Sequence, residues 1–222
     1  FTARPVGDAM ATTIWGTSSS WTLTALPLFV WMGEILFRTK LSENLFEGLS
    51  PWMQKLPGGL IHVNVVGCAL FAAISGSSAA TVATVGKMSI PELRKRKYPE
   101  KILLGSLAGS GTLGLLIPPS IILIIYGVTV QESIAKLFIA GIIPGIMIAL
   151  IFMSYVIIWS LINKKSMPKY VENFSFLEKI RKSKQLLPVI ILISAVIGSI
   201  YTGVATATEA ASLGVVGALI LS

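Results

Sequence analysis

The sequence predicts an all-α polytopic membrane protein with a re-entrant helical hairpin and a discontinuous helix. Three observations carry that prediction. Charged residues make up only 13% of the 222 and hydrophobic residues 54%, whereas a soluble domain carries about 25% charge. The charge is also segregated. No Asp, Glu, Lys or Arg occurs between Lys55 and Lys87, from Ile102 to Gln131, or from Leu137 to Ile162, and about 20 apolar residues suffice to cross a bilayer core. Finally, two of these runs are interrupted by Gly, Ser, Thr and Pro at depths where lipid-exposed irregular backbone is not tolerated. A soluble globule, a disordered chain and a fibrous repeat are excluded on the same grounds.

The first apolar segment runs from about Ile14 to Phe37, with Pro27 inside and Glu34 near its far end. In residues 38–56, Leu41, Leu45, Leu49, Trp52 and Leu56 recur at three- and four-residue steps, with Phe46 and Met53 beside them and Glu43, Asn44, Glu47 and Gln54 elsewhere. That stripe predicts an amphipathic helix, kinked or split at Pro51. It lies along the membrane interface or packs as a loop helix on other protein.

Leu60 to Ile90 would measure about 46 Å as one straight helix, too long for a ~30 Å core. Ser75-Gly76-Ser77-Ser78 divides it into two short apolar pieces. Pieces of that length favour a hairpin that enters and leaves on one side, with its tip at 75–78; a single tilted crossing is the alternative.

Net charge is +8, and 16 of the 18 basic residues fall in three hydrophilic segments, 38–55, 87–101 and 164–184. Topology explains this excess better than nucleic acid does. Segments 87–101 and 164–184, each strongly basic, are both expected in the cytoplasm, so two crossings lie between them: about 101–126 and about 134–162. The link GVTVQES (127–133) has no basic residue and is expected outside. A further span covers about Leu186 to Tyr201. TGVATATEA then turns into another helix that the chain end cuts off. The lone Cys68 reads as a small core residue and the lone His62 has no ligand partners at metal spacing. The first residue is Phe1, and the absence of an initiator Met points to a piece of a longer protein.

Span 101–126 carries the chemistry. Gly109-Ser110-Gly111-Thr112, then Gly114 and Pro118-Pro119-Ser120, should break its helix at mid-depth. Such a break exposes carbonyl oxygens to a cation and N–H groups to an anion. Together with Ser75, Gly76, Ser77 and Ser78 it fits one site, a hairpin tip against an unwound helix. Close packing of small residues is the competing reading and the better one for Gly105, Ser106 and Ala108. With no carboxylate in this stretch, neutral oxygens binding Na⁺ suit it better than a proton relay. Glu34 and Glu209 read as helix-end or packing residues. No HExxH, GxSxG or P-loop sequence occurs, and one His leaves little for acid–base catalysis, so an enzyme is not expected.

AISGSSAATVATVG (73–86), GSGTLGLLIPPSIILIIYG (109–127), IAGIIPG (139–145) and GVATATEAASLGVVGAL (203–219), with ALPLFVWMGE (25–34) before them, resemble the signature segments of the large membrane subunit of TRAP (tripartite ATP-independent periplasmic) transporters. The resemblance implies the N-terminal half of an inverted-repeat elevator transporter. Residues 1–58 would be scaffold helix and interfacial arm, and 59–90 the re-entrant hairpin. Residues 91–133 would be a cytoplasmic loop and the broken helix, 134–202 two further helices with a basic loop, and 203–222 the truncated start of the second repeat. It implies a Na⁺ clamp at Ser75, Ser77, Ser78, Gly109 and Thr112, beside Gly76, Ser110 and Gly111. Gly114, Pro118, Pro119 and Ser120 would form the helix break. Na⁺ would be the coupling ion and no other cofactor is implied. The partners implied are a small four-helix membrane subunit and a periplasmic binding protein, in a bacterial inner membrane. The cargo implied is an organic acid such as a C4-dicarboxylate or sialic acid. A binding-protein-independent carboxylate symporter of related fold, or a non-transporting membrane subunit, are the alternatives.

Overall fold

The computed structural model describes residues 6–39, 41–168 and 174–222. Of residues 41–43 it describes the main chain only, so the side chains of Leu41 in the expected stripe and of Glu43 off it lie outside the described residues, as do Lys40, Lys169 and Glu172 of the basic segments. All regular structure among the described residues is helical.

The first apolar segment is not one helix. It divides into α1 (Val6–Ser18), a single 3₁₀ turn (Trp21–Thr24) and α2 (Ala25–Arg38), bent by 45° at the break. Hydroxyl chemistry accounts for the division. Thr12, Thr13 and Ser19 turn their side chains back onto carbonyls three or four residues earlier, a habit that loosens helices. Pro27 sits in the first turn of α2, where its missing N–H costs nothing. Glu34 pairs with Arg38 at 2.8 Å in the last turns of α2.

α3 (Leu41–Met53) is continuous, with Pro51 in its last turn rather than at a kink. Leu45, Phe46 and Leu49 are buried, and the Gly48 α-carbon lies against Leu186. Protein thus covers the Leu45, Phe46 and Leu49 part of the stripe, while Trp52 and Leu56 remain exposed.

The interrupted run 60–90 folds as two packed helices, α4 (Ile61–Ser75) and α5 (Ser78–Lys95). α5 outruns the expected end by a turn because Pro91 is absorbed within it. A Cβ on Gly67 would stand 3.6 Å from Val85 Cγ1. These residues are equally far in sequence from Gly76, so the pair is antiparallel and returns to the end it left. α4 is buried on all sides, twelve of its fifteen residues included. Its entry is tied down twice: His62 Nε2 donates to the Pro57 carbonyl at 2.8 Å, and Leu60 N–H donates to the buried Tyr98 hydroxyl at 3.1 Å. Tyr98→Phe leaves that enclosed N–H without a partner, so a loss of about 1–3 kcal/mol of stability is expected. A lower unfolding temperature of the purified protein in detergent reads it; an unchanged one contradicts the role.

α6 (Glu100–Gly111) and α7 (Ile121–Val130) are the halves of the broken span. α8 (Ile134–Ile162) is long and apolar enough to cross a membrane, as is the stretch Phe176–Tyr201. The latter comprises the short basic α9 (Phe176–Ser183), a 3₁₀ turn and α10 (Leu187–Tyr201). α11 (Ala207–Leu221) begins with a capping box in which Glu209 accepts from the Thr206 N–H at 2.8 Å, so Glu209 is a helix-end residue. α11 packs along α2, with the Gly214 α-carbon on Met32.

Chain directions sort the ends. Phe46 and Glu47 of α3, Lys87 and Arg96 of the α5 region and Lys182 of α9 line one cleft, so the three basic segments converge. The link 127–134 lies instead beside Thr12 and Thr17 of α1.

Candidate functional site: hairpin tip and helix break

The tip is built by a glycine that ends one helix and a serine that starts the next. Gly76 closes α4 in a left-handed conformation, φ +59°, which only glycine adopts freely. Ser77 caps α5, its hydroxyl accepting from Ala80 N–H at 3.4 Å. The Ser75 hydroxyl shares a 2.9 Å hydrogen bond with Thr81, fixing the first turn of α5 to the last residue of α4. Ser78 Oγ is enclosed and has no hydrogen-bond partner among the described residues.

The break is equally ordered. α6 stops at Gly111 and passes through a 3₁₀ turn, Thr112–Leu115. The Pro118–Pro119 bond is cis. The chain restarts at Ser120, whose hydroxyl donates to the Leu115 carbonyl at 2.7 Å and caps Leu123 N–H at 3.5 Å. Ser120 thus bridges both sides of the gap, which satisfies groups that two consecutive prolines would otherwise leave open.

The two interruptions meet backbone to backbone. Ile121 N–H donates to the Gly76 carbonyl at 3.3 Å. A Cβ on Gly76 would stand 2.7 Å from the Pro119 carbonyl oxygen, and one on Gly114 would stand 2.9 Å from Ser78 N and 3.0 Å from the Ser77 carbonyl carbon. Gly111 packs on Val82 of α5. Behind the break, Gly141 and Gly145 of α8 admit Leu116 and Ile117, with 2.7 Å from a Gly141 Cβ to the Leu116 oxygen. Those glycines belong to the IAGIIPG segment, to which sequence reading assigned no role.

Not every expected residue joins this contact. Ser110 is buried and bonds the Ser106 carbonyl at 2.6 Å. Gly109 and Thr112 occupy the neighbouring face of the helix: Gly109 faces Phe152 of α8, and the exposed Thr112 hydroxyl donates to the Gly109 carbonyl at 2.7 Å. Residues 111 and 114 share one helical face and 109 and 112 another, as a three-residue step requires. Of the residues read as packing, Ser106 is buried and accepts from Asn64 Nδ2 at 3.0 Å. Gly105 and Ala108 instead point outward.

A carboxylate does come near the tip. Glu34, with Ser75, Ser77 and Thr84, lines a cleft of about 140 Å³ between α2 and the hairpin. Its signal in the sequence was only an acid late in an apolar run. The α2 backbone is pressed onto the same place: a Cβ on Gly33 would stand 2.9 Å from the Ser75 α-carbon.

Lys87 is the first charged residue after the tip, and α5 rises about 14 Å from Ser78 to it, near half of a ~30 Å bilayer core.

All 222 residues match the family model described as "Tripartite ATP-independent periplasmic transporter, DctM component". The chain belongs to this family of membrane transporters. The C4-dicarboxylate TRAP transporter large permease protein of Pseudomonas aeruginosa is 36% identical over 94% of the chain and 48% of its own length. The ectoine/5-hydroxyectoine large permease protein of Ruegeria pomeroyi is 36% identical over 90% of the chain and 46% of its own length. The sialic acid large permease protein of Vibrio cholerae is 35% identical over 93% of the chain and 48% of its own length. The chain thus spans about half the length of these TRAP relatives, and their three named cargoes differ while the match does not.

Proposed function

We propose that this chain forms the N-terminal half of the large permease subunit of a Na⁺-coupled TRAP transporter that imports an organic acid across a bacterial inner membrane. The observation that carries the reading is the main-chain contact between hairpin tip and helix break. Two helices, α4 and α6, end there and two, α5 and α7, begin there. Helix C-termini present carbonyls and partial negative charge, N-termini present N–H groups and partial positive charge. One junction therefore offers neutral oxygens to Na⁺ and donors to a carboxylate.

In this reading Ser75, Gly76, Ser77 and Ser78, with main-chain oxygens of the stretch Gly109 to Thr112, hold Na⁺, with Ser78 Oγ as the hydroxyl left for the ion and the Thr112 hydroxyl kept on the Gly109 carbonyl. Gly114 and the Pro118-Pro119-Ser120 turn keep the break open. The hairpin, re-entrant in the membrane, and the broken helix move as one body against a scaffold containing α2, an elevator step driven by the Na⁺ gradient and not by ATP. A periplasmic binding protein delivers the cargo, a C4-dicarboxylate, sialic acid or related carboxylate, and a small four-helix subunit completes the membrane complex. The C4-dicarboxylate and sialic acid named for two relatives support a carboxylate as the cargo.

Uptake by the full complex with its binding protein in proteoliposomes, with and without an inward Na⁺ gradient, tests the coupling; uptake indifferent to the gradient sinks it. Within that assay, Ser78→Ala is expected to raise the half-saturating Na⁺ concentration about tenfold, the effect of losing one ligand hydroxyl worth roughly 1.5 kcal/mol. Ser106→Ala should lower stability and leave the Na⁺ dependence alone. A Ser78→Ala protein that is merely less stable favours close packing over ion binding.

A further inference from the structure

The cleft at the charged end of the bundle has a chemistry that transport does not use. It measures about 450 Å³ and lies between α3, the second half of α5 and the start of the α9 region. Lys87 and Lys182 both line it, one reached from each basic segment. Each ammonium lies over an aromatic ring, Lys87 Nζ 5.2 Å from the Phe37 centroid and Lys182 Nζ 4.3 Å from that of Phe174. A ring steadies an ammonium without consuming its N–H donors.

Two carboxylates share the lining, Glu47 and Glu92. Glu92 is engaged by Arg96 at 3.6 Å. Beside the cleft, Glu178 is engaged in capping the Ser175 N–H at 2.8 Å, while Arg181 and Lys182 border the same groove. Among the described residues the balance is positive, and the two ring-held ammoniums face one further acid there, Glu47.

The level of the cleft narrows the choice of anion. Lys87 ends a charge-free run that begins after Lys55, which places it where the hydrocarbon core gives way to headgroups. Trp52 of α3, 43% exposed, lies at the same end with Lys179 over its ring at 5.3 Å, and an indole with one wet edge suits that level. We propose that this cleft seats the phosphate of an anionic phospholipid headgroup, with Lys87 and Lys182 as its donors and Phe46 and Phe174 against the glycerol. Because the walls come from both the arm and the hairpin, the bound lipid would bridge the two. The inference rests on the membrane placement of this end and not on Na⁺ coupling, and binding is measured without transport, so the two readings fail separately.

The test uses the full-length membrane subunits in detergent, titrated with dioleoyl phosphatidylglycerol or phosphatidylcholine and read by native mass spectrometry. Selective retention of phosphatidylglycerol is expected. It should weaken about fivefold for each ammonium removed and about 25-fold in the Lys87→Gln, Lys182→Gln protein, from roughly one such charge each. The Lys87→Arg, Lys182→Arg protein and Lys136→Gln, at the other end of the bundle, should retain the lipid as the parent does. Lys182→Gln alone, on a short surface helix, gives the same reading should the double variant not fold. Retention unchanged in the glutamine variants, retention of phosphatidylcholine as strong, or displacement of the lipid by inorganic phosphate would each overturn the proposal, the last pointing to a free-anion site.

Discussion

Gly114→Ala is expected to uncouple the hairpin tip from the helix break and to weaken Na⁺-dependent uptake by between about fivefold and 150-fold. The added Cβ would stand 2.9 Å from the amide nitrogen of Ser78. Its neighbours are main chain on both sides, so no rotamer change relieves the contact. Overpacking of this kind costs about 1–3 kcal/mol, and the whole of it falls on assembly of the junction, which converts to the range given. Gly105→Ala is the matched control. It lies in α6, ahead of the same break, a Cβ there meets nothing within 4 Å, and replacing an exposed helical glycine stabilises by roughly 0.5–1 kcal/mol. The measurement is uptake against Na⁺ concentration in proteoliposomes. A Gly114→Ala protein with the parental Na⁺ curve would show that the tip and the break need not touch.

The second large effect concerns motion. In a Cys68→Ala background, the pair Gly33→Cys and Ser75→Cys is expected to close a disulfide that stops uptake, with uptake returning on reduction. The ideal Cβ of residue 33 stands 3.1 Å from Ser75 Cβ, a little under the usual ~3.8 Å and reachable by a small shift. The bond would tether α2 to the hairpin. If transport carries the hairpin past α2, a covalent tether stops it while Na⁺ still binds, and the single Ser75→Cys protein sets the baseline for the ion. Full uptake in the cross-linked state would mean that α2 and the tip stay together throughout the cycle, and the elevator reading would fail.

Much of this was legible in the residues because breaks in apolar runs are local events. Gly76 and its serines, and the double proline, announce where a helix must stop, and the helices stop there. What a stopped helix touches is not local. Gly33 against Ser75, and Gly141 against Leu116, join positions far apart in the chain, and nothing in a run of apolar letters marks which face a glycine will show. The split of the first segment escaped for another reason: Ser and Thr within a hydrophobic stretch read as helical by composition, yet their hydroxyls compete for the backbone. The division of the expected ion set between two helical faces, with Gly111 and Gly114 toward the hairpin and Gly109 and Thr112 away from it, needed the phase of α6, which the broken pattern did not fix.

The junction closed by main-chain atoms has a consequence for protein engineering. Side chains at the tip and at the break do not interlock; two backbones do, each shaped to the other's curvature. A hairpin exchanged alone between two relatives would meet a foreign curve and leave gaps that no point substitution fills. Exchanged together with residues 100–130, it would arrive with its own counterpart. The smallest transplantable part of this fold is therefore a pair of segments, distant in neither space nor sequence but useless singly.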